Sequence, residues 1–169
     1  MLDILNNITI ITIITIITKN IFLLFFLINI SLLYKYLMNN TEWYTQLNKS
    51  QITPPSYVFG IVWPILYILI FVSFILFLLN RDNVNNEIFI KTIIVFILQI
   101  LCNILWSPLF FGYKYIKIAF IDIVLTLGLT ALNIYYFYKS YPISAYLLIP
   151  YISWLVLATY LNLYIVINN

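Results

Sequence analysis

Residues 42–67 read EWYTQLNKSQITPPSYVFGIVWPILY. A polar, aromatic-rich connector breaks at Pro54-Pro55 and runs into an apolar span that carries Trp63 and Tyr67. The stretch marks a membrane edge and the start of a membrane-crossing helix. The 169-residue chain is 64% hydrophobic and 8% charged, with a mean hydropathy of +1.06. Soluble domains carry about 25% charged residues, so the solvent for this surface is lipid. Backbone groups unsatisfied in hydrocarbon cost several kcal/mol each, which restricts spanning structure to helices or closed barrels. Barrel strands alternate polar and apolar residues over about ten positions. The runs here stay apolar for about twenty, so the expected fold is all-α, a five-transmembrane-helix bundle.

Eight basic and five acidic residues leave a net charge of +3, too small and too scattered for a nucleic-acid footprint. The single cysteine, Cys102, lies in an apolar run and reads as a small buried residue. Histidine is absent from the sequence. That removes the commonest metal ligand and general base, and no Cys/His metal cluster can form. No nucleophile–base pair, glycine-rich phosphate loop or paired carboxylate is seen, so a conventional hydrolase or transferase is not expected.

The spans are expected at about 21–37, 57–79, 88–111, 116–138 and 143–167, with a long connector over 38–56. Short connectors between the others predict antiparallel neighbours. Pro64 is expected in the first turn or two of the second span, and Pro150 within the fifth. Residues 1–20 form an apolar Ile/Thr extension with Thr9, Thr12, Thr15 and Thr18 at period three, which defines no sharp helix face. It reads as a helix extension, an interfacial piece or part of a signal sequence. Asp3 and the missing Ala-x-Ala pattern argue against the last. Lys35, Lys49, Lys114 and Lys117 fall on one side of the membrane, and Lys19, Arg81, Lys91 and Lys139 on the other, so the positive-inside rule assigns no orientation.

Polar residues at membrane depth ask for a reason. Gln99, Asn103, Trp106 and Phe110 share one helix face, as do Asp122, Thr126, Leu129 and Asn133. Pro150, Trp154, Ala158 and Asn162 are spaced four apart, and Gly60, Trp63 and Tyr67 form a stripe. Two readings compete. In one, the amides and Asp122 are interhelical glue, worth roughly 0.6–2 kcal/mol per bond. In the other, the faces converge on a pocket with aromatic walls and a few orienting polar groups. An acidic residue at Asp122's depth also reads as a proton or ion relay, though no basic partner is apparent.

In these residues the chain resembles the translocator protein family, also called tryptophan-rich sensory protein (TspO) or peripheral benzodiazepine receptor. Three blocks carry the resemblance. The first is Trp43-Tyr44-x-x-Leu47-x-Lys49, Pro54-Pro55 and Val62-Trp63-x-x-Leu66-Tyr67. The second is Asn103-x-x-Trp106-x-Pro108-x-Phe110-Phe111-Gly112, continuing to Ala119-x-x-Asp122. The third is Leu147-Leu148-x-Pro150-Tyr151-x-x-Trp154, then Ala158-Thr159-x-Leu161-Asn162.

The resemblance implies a five-helix bundle, often a homodimer, with a cavity lidded by the 38–56 connector. It implies binding of tetrapyrroles such as protoporphyrin IX and haem, drug-like isoquinolines and benzodiazepines, and in some members cholesterol. It puts Trp63, Asn103, Trp106, Trp154 and Ala158 in the cavity, and Trp43 and Pro55 in or near the lid. Gln99 is expected to join Asn103 in hydrogen-bonding a propionate or amide carbonyl. It also implies the mitochondrial outer membrane in a eukaryote and the cell envelope in a bacterium.

No cofactor is required on this reading. Axial haem ligation would fall to Tyr, Cys102 or Met38, so metal-free porphyrin held by stacking is the favoured ligand. The expected function is a receptor or sensor. The alternatives are light- and oxygen-dependent porphyrin degradation through Trp63 and Trp154, and porphyrin or lipid transport. Membrane lipid is an expected partner and nucleic acid is not. The family's sterol motif is broken here, with Leu163 at the aligned tyrosine position, Tyr164 displaced and no basic residue after it. Sterol binding through that motif is therefore not expected. The usual Lys-Pro pair of the lid reads Lys49-Ser50, with Ile52 two residues later, which predicts a looser lid.

Overall fold

The computed structural model describes residues 41–169; the expected first span at 21–37 and the extension over 1–20 lie outside the described residues. A short helix α1 (Thr41–Gln46) sits within the connector that the sequence marked as a lid. The long helices follow: α2 (Ser56–Leu79), α3 (Asn86–Ser107), α4 (Ile116–Ser140) and, after the one-turn α5 (Pro142–Tyr146), α6 (Ile149–Asn168). Among the described residues, four helical segments are long and apolar enough to cross a membrane: Ser56–Leu79, Asn86–Gly112, Ile116–Ser140 and Pro142–Asn168. The 24 residues of α2 rise about 36 Å at 1.5 Å each, against a hydrocarbon core of about 30 Å.

The local sequence explains the boundaries. Asn85 caps α3 by accepting from the Ile88 amide at 2.8 Å. Pro108 ends the regular ladder of α3, and the helix widens into a π-turn over Pro108–Gly112, with the Tyr113 amide bonded to the Pro108 carbonyl at 2.8 Å. The turn closes on Lys114 at φ +59°, a left-handed position unusual for a residue with a Cβ.

The fifth expected span is not one helix. It breaks at Leu147–Leu148, and Pro150 starts α6, where its missing N–H costs nothing. Pro64 lies deeper than expected, in the third turn of α2, because the helix begins at Ser56 directly after Pro55.

α4 is the central element, packed against α3, α5 and α6, while α2 packs on α5 and α6. The interior mixes apolar and polar residues, and the outside is greasy. Ile61, Ile65, Ile68 and Val72 form an exposed stripe at helical spacing on α2, and Ile90, Ile94, Ile97, Leu101 and Leu105 form another on α3. The buried face of α4 instead carries Asp122, Thr126, Thr130, Asn133 and Ser140. Thr126 and Thr130 each bond a carbonyl of their own helix.

One end of the bundle is locked by phenylalanines. Phe74 stacks on Phe96 at 3.9 Å, and Phe77 on Phe137 at 4.8 Å. Backbone-directed bonds close the same end: Asn83 Nδ2 donates to the Ser140 carbonyl at 2.8 Å, and Ser140 Oγ donates to the Asn80 carbonyl at 2.9 Å. Phe137 is 0% exposed. Phe137→Ala is expected to cost about 3–5 kcal/mol, and Phe137→Leu markedly less. Denaturant titration in detergent measures both, and equal effects would contradict this packing.

Candidate functional site

At the opposite end the helices splay around a cavity of about 100 Å³. The connector contributes Tyr44 and Pro54, and α2 contributes Phe59, Trp63 and Tyr67. α3 and its π-turn supply Asn103, Trp106, Ser107, Phe110 and Phe111. α4 supplies Ile123 and Thr126, and α6 supplies Leu155, Ala158, Leu161, Asn162 and Ile165. None of these described lining residues carries a formal charge.

The aromatic walls are mutually braced. Trp106 stacks on Phe110 at 4.9 Å, Phe111 stands edge-on to Phe110 at 4.9 Å, and Trp63 lies 5.5 Å from Tyr67. The connector docks on this wall through its own rings. Trp43 meets Phe110 at 5.7 Å, and Tyr44 meets Phe111 at 5.6 Å. Burial pushes the Tyr44 phenol above its ordinary range, so it faces the cavity as a neutral group.

Two cations flank the outer side. Lys49 Nζ donates to the Tyr44 carbonyl at 2.8 Å, and Lys114 lies 5.5 Å over the Trp43 ring. Further along, Asn48 is tied to the end of α6. Its amide donates to Asn169 Oδ1 at 3.0 Å, its Nδ2 to the Asn168 carbonyl at 3.0 Å, and its carbonyl accepts from Asn169 Nδ2 at 3.2 Å.

Below the cavity lies a layer of buried amides. Asn133 Nδ2 on α4 donates to Gln99 Oε1 on α3, both residues being fully buried. One turn up, Asn103 Nδ2 donates to the Tyr151 hydroxyl at 2.9 Å, joining α3 to α6. The Cys102 thiol lies against the Asp122 carboxyl. Among the described residues, no group of three His, Cys, Asp or Glu side chains could hold a metal ion.

The eight residues picked from the sequence therefore separate. Trp63, Asn103, Trp106 and Ala158 line the cavity together. Trp43 supports it from behind Phe110, and Pro55 caps the start of α2 next to the lining residue Pro54. Gln99 is spent on Asn133. Trp154 stands edge-on to Phe59 at 5.6 Å, behind the wall. The displacement has a geometric cause. The inward face of α6 runs Tyr151, Leu155, Ala158, Asn162, Ile165 in mixed steps of four and three. The resemblance and a stripe in constant steps of four place Trp154 in the cavity; that stripe turns about 40° per step on a helix of 3.6 residues per turn, so it meets the inward face at Ala158 and Asn162 and not at Trp154. The selection missed Tyr44, Phe59, Tyr67, Phe110, Phe111, Thr126 and Asn162 as lining residues, and Tyr151 beneath them. Tyr67, Phe110, Thr126 and Asn162 did stand on the recognised stripes.

A sequence profile of the TspO/MBR family matches residues 20–167, nearly the whole chain. The chain belongs to the TspO/MBR family. It is 34% identical over 127 residues to the tryptophan-rich protein TspO of Archaeoglobus fulgidus, covering 75% of this chain and 80% of that one. It is 31% identical over 122 residues to the translocator protein of Homo sapiens, covering 72% and 71%. The tryptophan-rich sensory protein of Cereibacter sphaeroides is 29% identical over 126 residues, covering 75% and 76%. Family membership and the four apolar helical segments together make this an integral membrane protein of the TspO/MBR family.

Two predictions concern the parts that hold this family member's cavity together. Gln99→Leu and Asn133→Leu each strand a buried amide and are expected to cost about 1–3 kcal/mol apiece. The double variant should cost clearly less than their sum, by denaturant titration in detergent, and strict additivity would show that the pair is not coupled. Asn48→Ala removes the Nδ2 bond to the Asn168 carbonyl and keeps the two backbone bonds to Asn169, and is expected to raise amide hydrogen exchange over residues 43–49 by about threefold, the loss of one exposed hydrogen bond. Unchanged exchange there would mean that the Asn48 side chain does not latch the connector.

Proposed function

We propose that this protein is a membrane receptor that takes a flat, amphipathic ligand of the tetrapyrrole class between the rings of its cavity. The observation that carries the reading is the wall itself. Trp63 and Trp106, with Phe59, Tyr67, Phe110 and Phe111, surround one space with uncharged polar groups among them. Large π-faces stack on such rings with about 0.5–1.5 kcal/mol per pair beyond area burial. Family membership supports the reading, and the names of its relatives speak of translocation and sensing.

The cavity of about 100 Å³ is smaller than the roughly 300–1,000 Å³ typical of sites for drug-sized ligands. Binding therefore requires the connector to move outward, and Tyr44 and Pro54 are the lining residues that move with it. The connector bonds through Asn48 at its far end, so ligand entry and connector opening are one event, and a partner can read the opened population. The bundle is the same whether the ligand is sensed or carried across. Sensing places the output in the connector, whereas transport requires a second exit.

Titration of protoporphyrin IX against tryptophan fluorescence in detergent tests the reading. Saturable quenching is expected in the dark. Trp63→Leu should weaken it about threefold to tenfold, the loss of one stacking partner at up to about 1.4 kcal/mol. Trp154→Phe should cost less, since that ring stands behind Phe59. Absence of saturable quenching in the wild-type protein would remove the tetrapyrrole assignment. A new porphyrin product that forms only in light, and is lost with Trp63→Phe, would move the reading from receptor to enzyme.

A further inference from the structure

Four side-chain amides are buried in the described bundle: Gln99, Asn103, Asn133 and Asn162. Three of them have one atom of the amide engaged: Gln99 through Oε1, Asn103 through Nδ2 and Asn133 through Nδ2. Asn162 has neither. It is 1% exposed, and both its Nδ2 and Oδ1 lack a hydrogen-bond partner among the described residues. It lines the cavity from α6, one turn before Ile165, which packs in the same apolar cluster as Trp106. The Trp106 indole N–H, on the facing wall, is also buried and unpartnered.

A buried amide without partners is a standing penalty, and native proteins tolerate few of them. As interhelical glue Asn162 fails among the described residues, since it bonds none of their helices. As a packing residue it is a poor choice, since leucine has nearly its shape and no polar atoms to strand. We propose that Asn162 is the specificity-determining residue of the cavity, reserved for a neutral ligand edge that presents a hydrogen-bond donor beside an acceptor: a carboxamide, a lactam or a protonated carboxylic acid.

The chemistry follows from the geometry of the group. One primary amide offers N–H and C=O side by side, and its complement is another such pair, forming two parallel hydrogen bonds. The edge must be neutral, because no described lining residue is charged and an ionised group there would be desolvated without a counter-charge. Anionic groups on the same ligand would remain toward Lys49 and Lys114, which lie outside the wall against Tyr44 and Trp43. The inference rests on the ligand-binding reading above in placing a guest in this cavity, and it adds which side of that guest goes in first.

A matched pair of small planar probes tests it: naphthalene-2-carboxamide, with donor and acceptor, and methyl naphthalene-2-carboxylate, with acceptors only. Affinities are measured by fluorescence quenching in detergent for the wild-type protein, Asn162→Leu and Asn162→Ala, with protoporphyrin IX run alongside. The wild-type protein is expected to prefer the carboxamide about tenfold, which corresponds to about 1.4 kcal/mol. Both variants should erase that preference by weakening the carboxamide and leaving the ester unchanged or tighter. The unfolding temperature of ligand-free Asn162→Leu should stand at or above that of the wild type.

The same carboxamide-to-ester ratio in all three proteins would overturn the proposal, most plainly if Asn162→Leu also unfolded several degrees lower, as a structural residue would. Carboxamide preference without porphyrin quenching would sink the tetrapyrrole reading and leave Asn162's role standing. Porphyrin quenching with unchanged ratios would do the reverse. Binding of neither probe class would overturn both.

Discussion

Hydrocarbon offers no hydrogen bonds, and the arrangement of this bundle follows from that. The backbone must close its own bonds, which makes helices. Polar side chains must turn inward and find one another, which sets a polar seam within the apolar core. Gln99, Asn103, Thr126, Thr130, Asn133 and Tyr151 all lie inside, while isoleucine and leucine stripes face out. The Gln99–Asn133 and Asn103–Tyr151 bonds are directional where the surrounding aliphatic contacts are not. They tie α3 to α4 and α3 to α6, and so set the registers on which the cavity walls above them depend.

The two ends of the bundle show what this constraint does with different residues. The closed end uses phenylalanine, which has no polar atom, so Phe77, Phe96 and Phe137 stack to full burial or close to it, with Phe74 partly buried against them. The other end uses Trp63, Trp106, Tyr67 and Asn162, each of which carries a polar tip. Rings with polar tips cannot fill a space as completely without turning those tips into partners or into solvent. The cavity lies among these tips and the Phe59, Phe110 and Phe111 rings, and the docked connector adds two more rings with polar tips, Trp43 and Tyr44.

Much of this was legible in the sequence, and the failures have physical causes. Apolar run length located the helices of α2, α3 and α4 to within a few residues, since bilayer thickness dictates span length. The α3 stripe, in steps of four, three and four, identified a true inward face, with Asn103, Trp106 and Phe110 on the cavity and Gln99 just below it. The α6 stripe, in steps of four only, turns onto the inward face at Ala158 and Asn162, while Trp154, one step earlier, stands against Phe59. The break at Leu147–Leu148 was invisible because two leucines carry no turn signal; only Pro150 hinted at a helix start. The six-residue α1 lay unread inside a polar connector, for its length is set by docking on Phe110 and Phe111 and not by its own periodicity.

The choice between glue and pocket, which residue types alone left open, turns on how many bonds each amide makes. Glue predicts paired amides at every buried position. Gln99 and Asn133 share one such bond below the cavity, and each keeps its other amide atom unmet. Asn103 divides its amide, with Nδ2 held by Tyr151 and Oδ1 left open while the residue lines the space. Asn162 is open on both atoms. Of the four buried amides described, three each join two helices through one bond, and Asn162 alone makes none. Glue accounts for the first three, whereas stability alone gives no reason to keep Asn162, since replacing an unpaired buried amide with a leucine removes a penalty at little cost in shape.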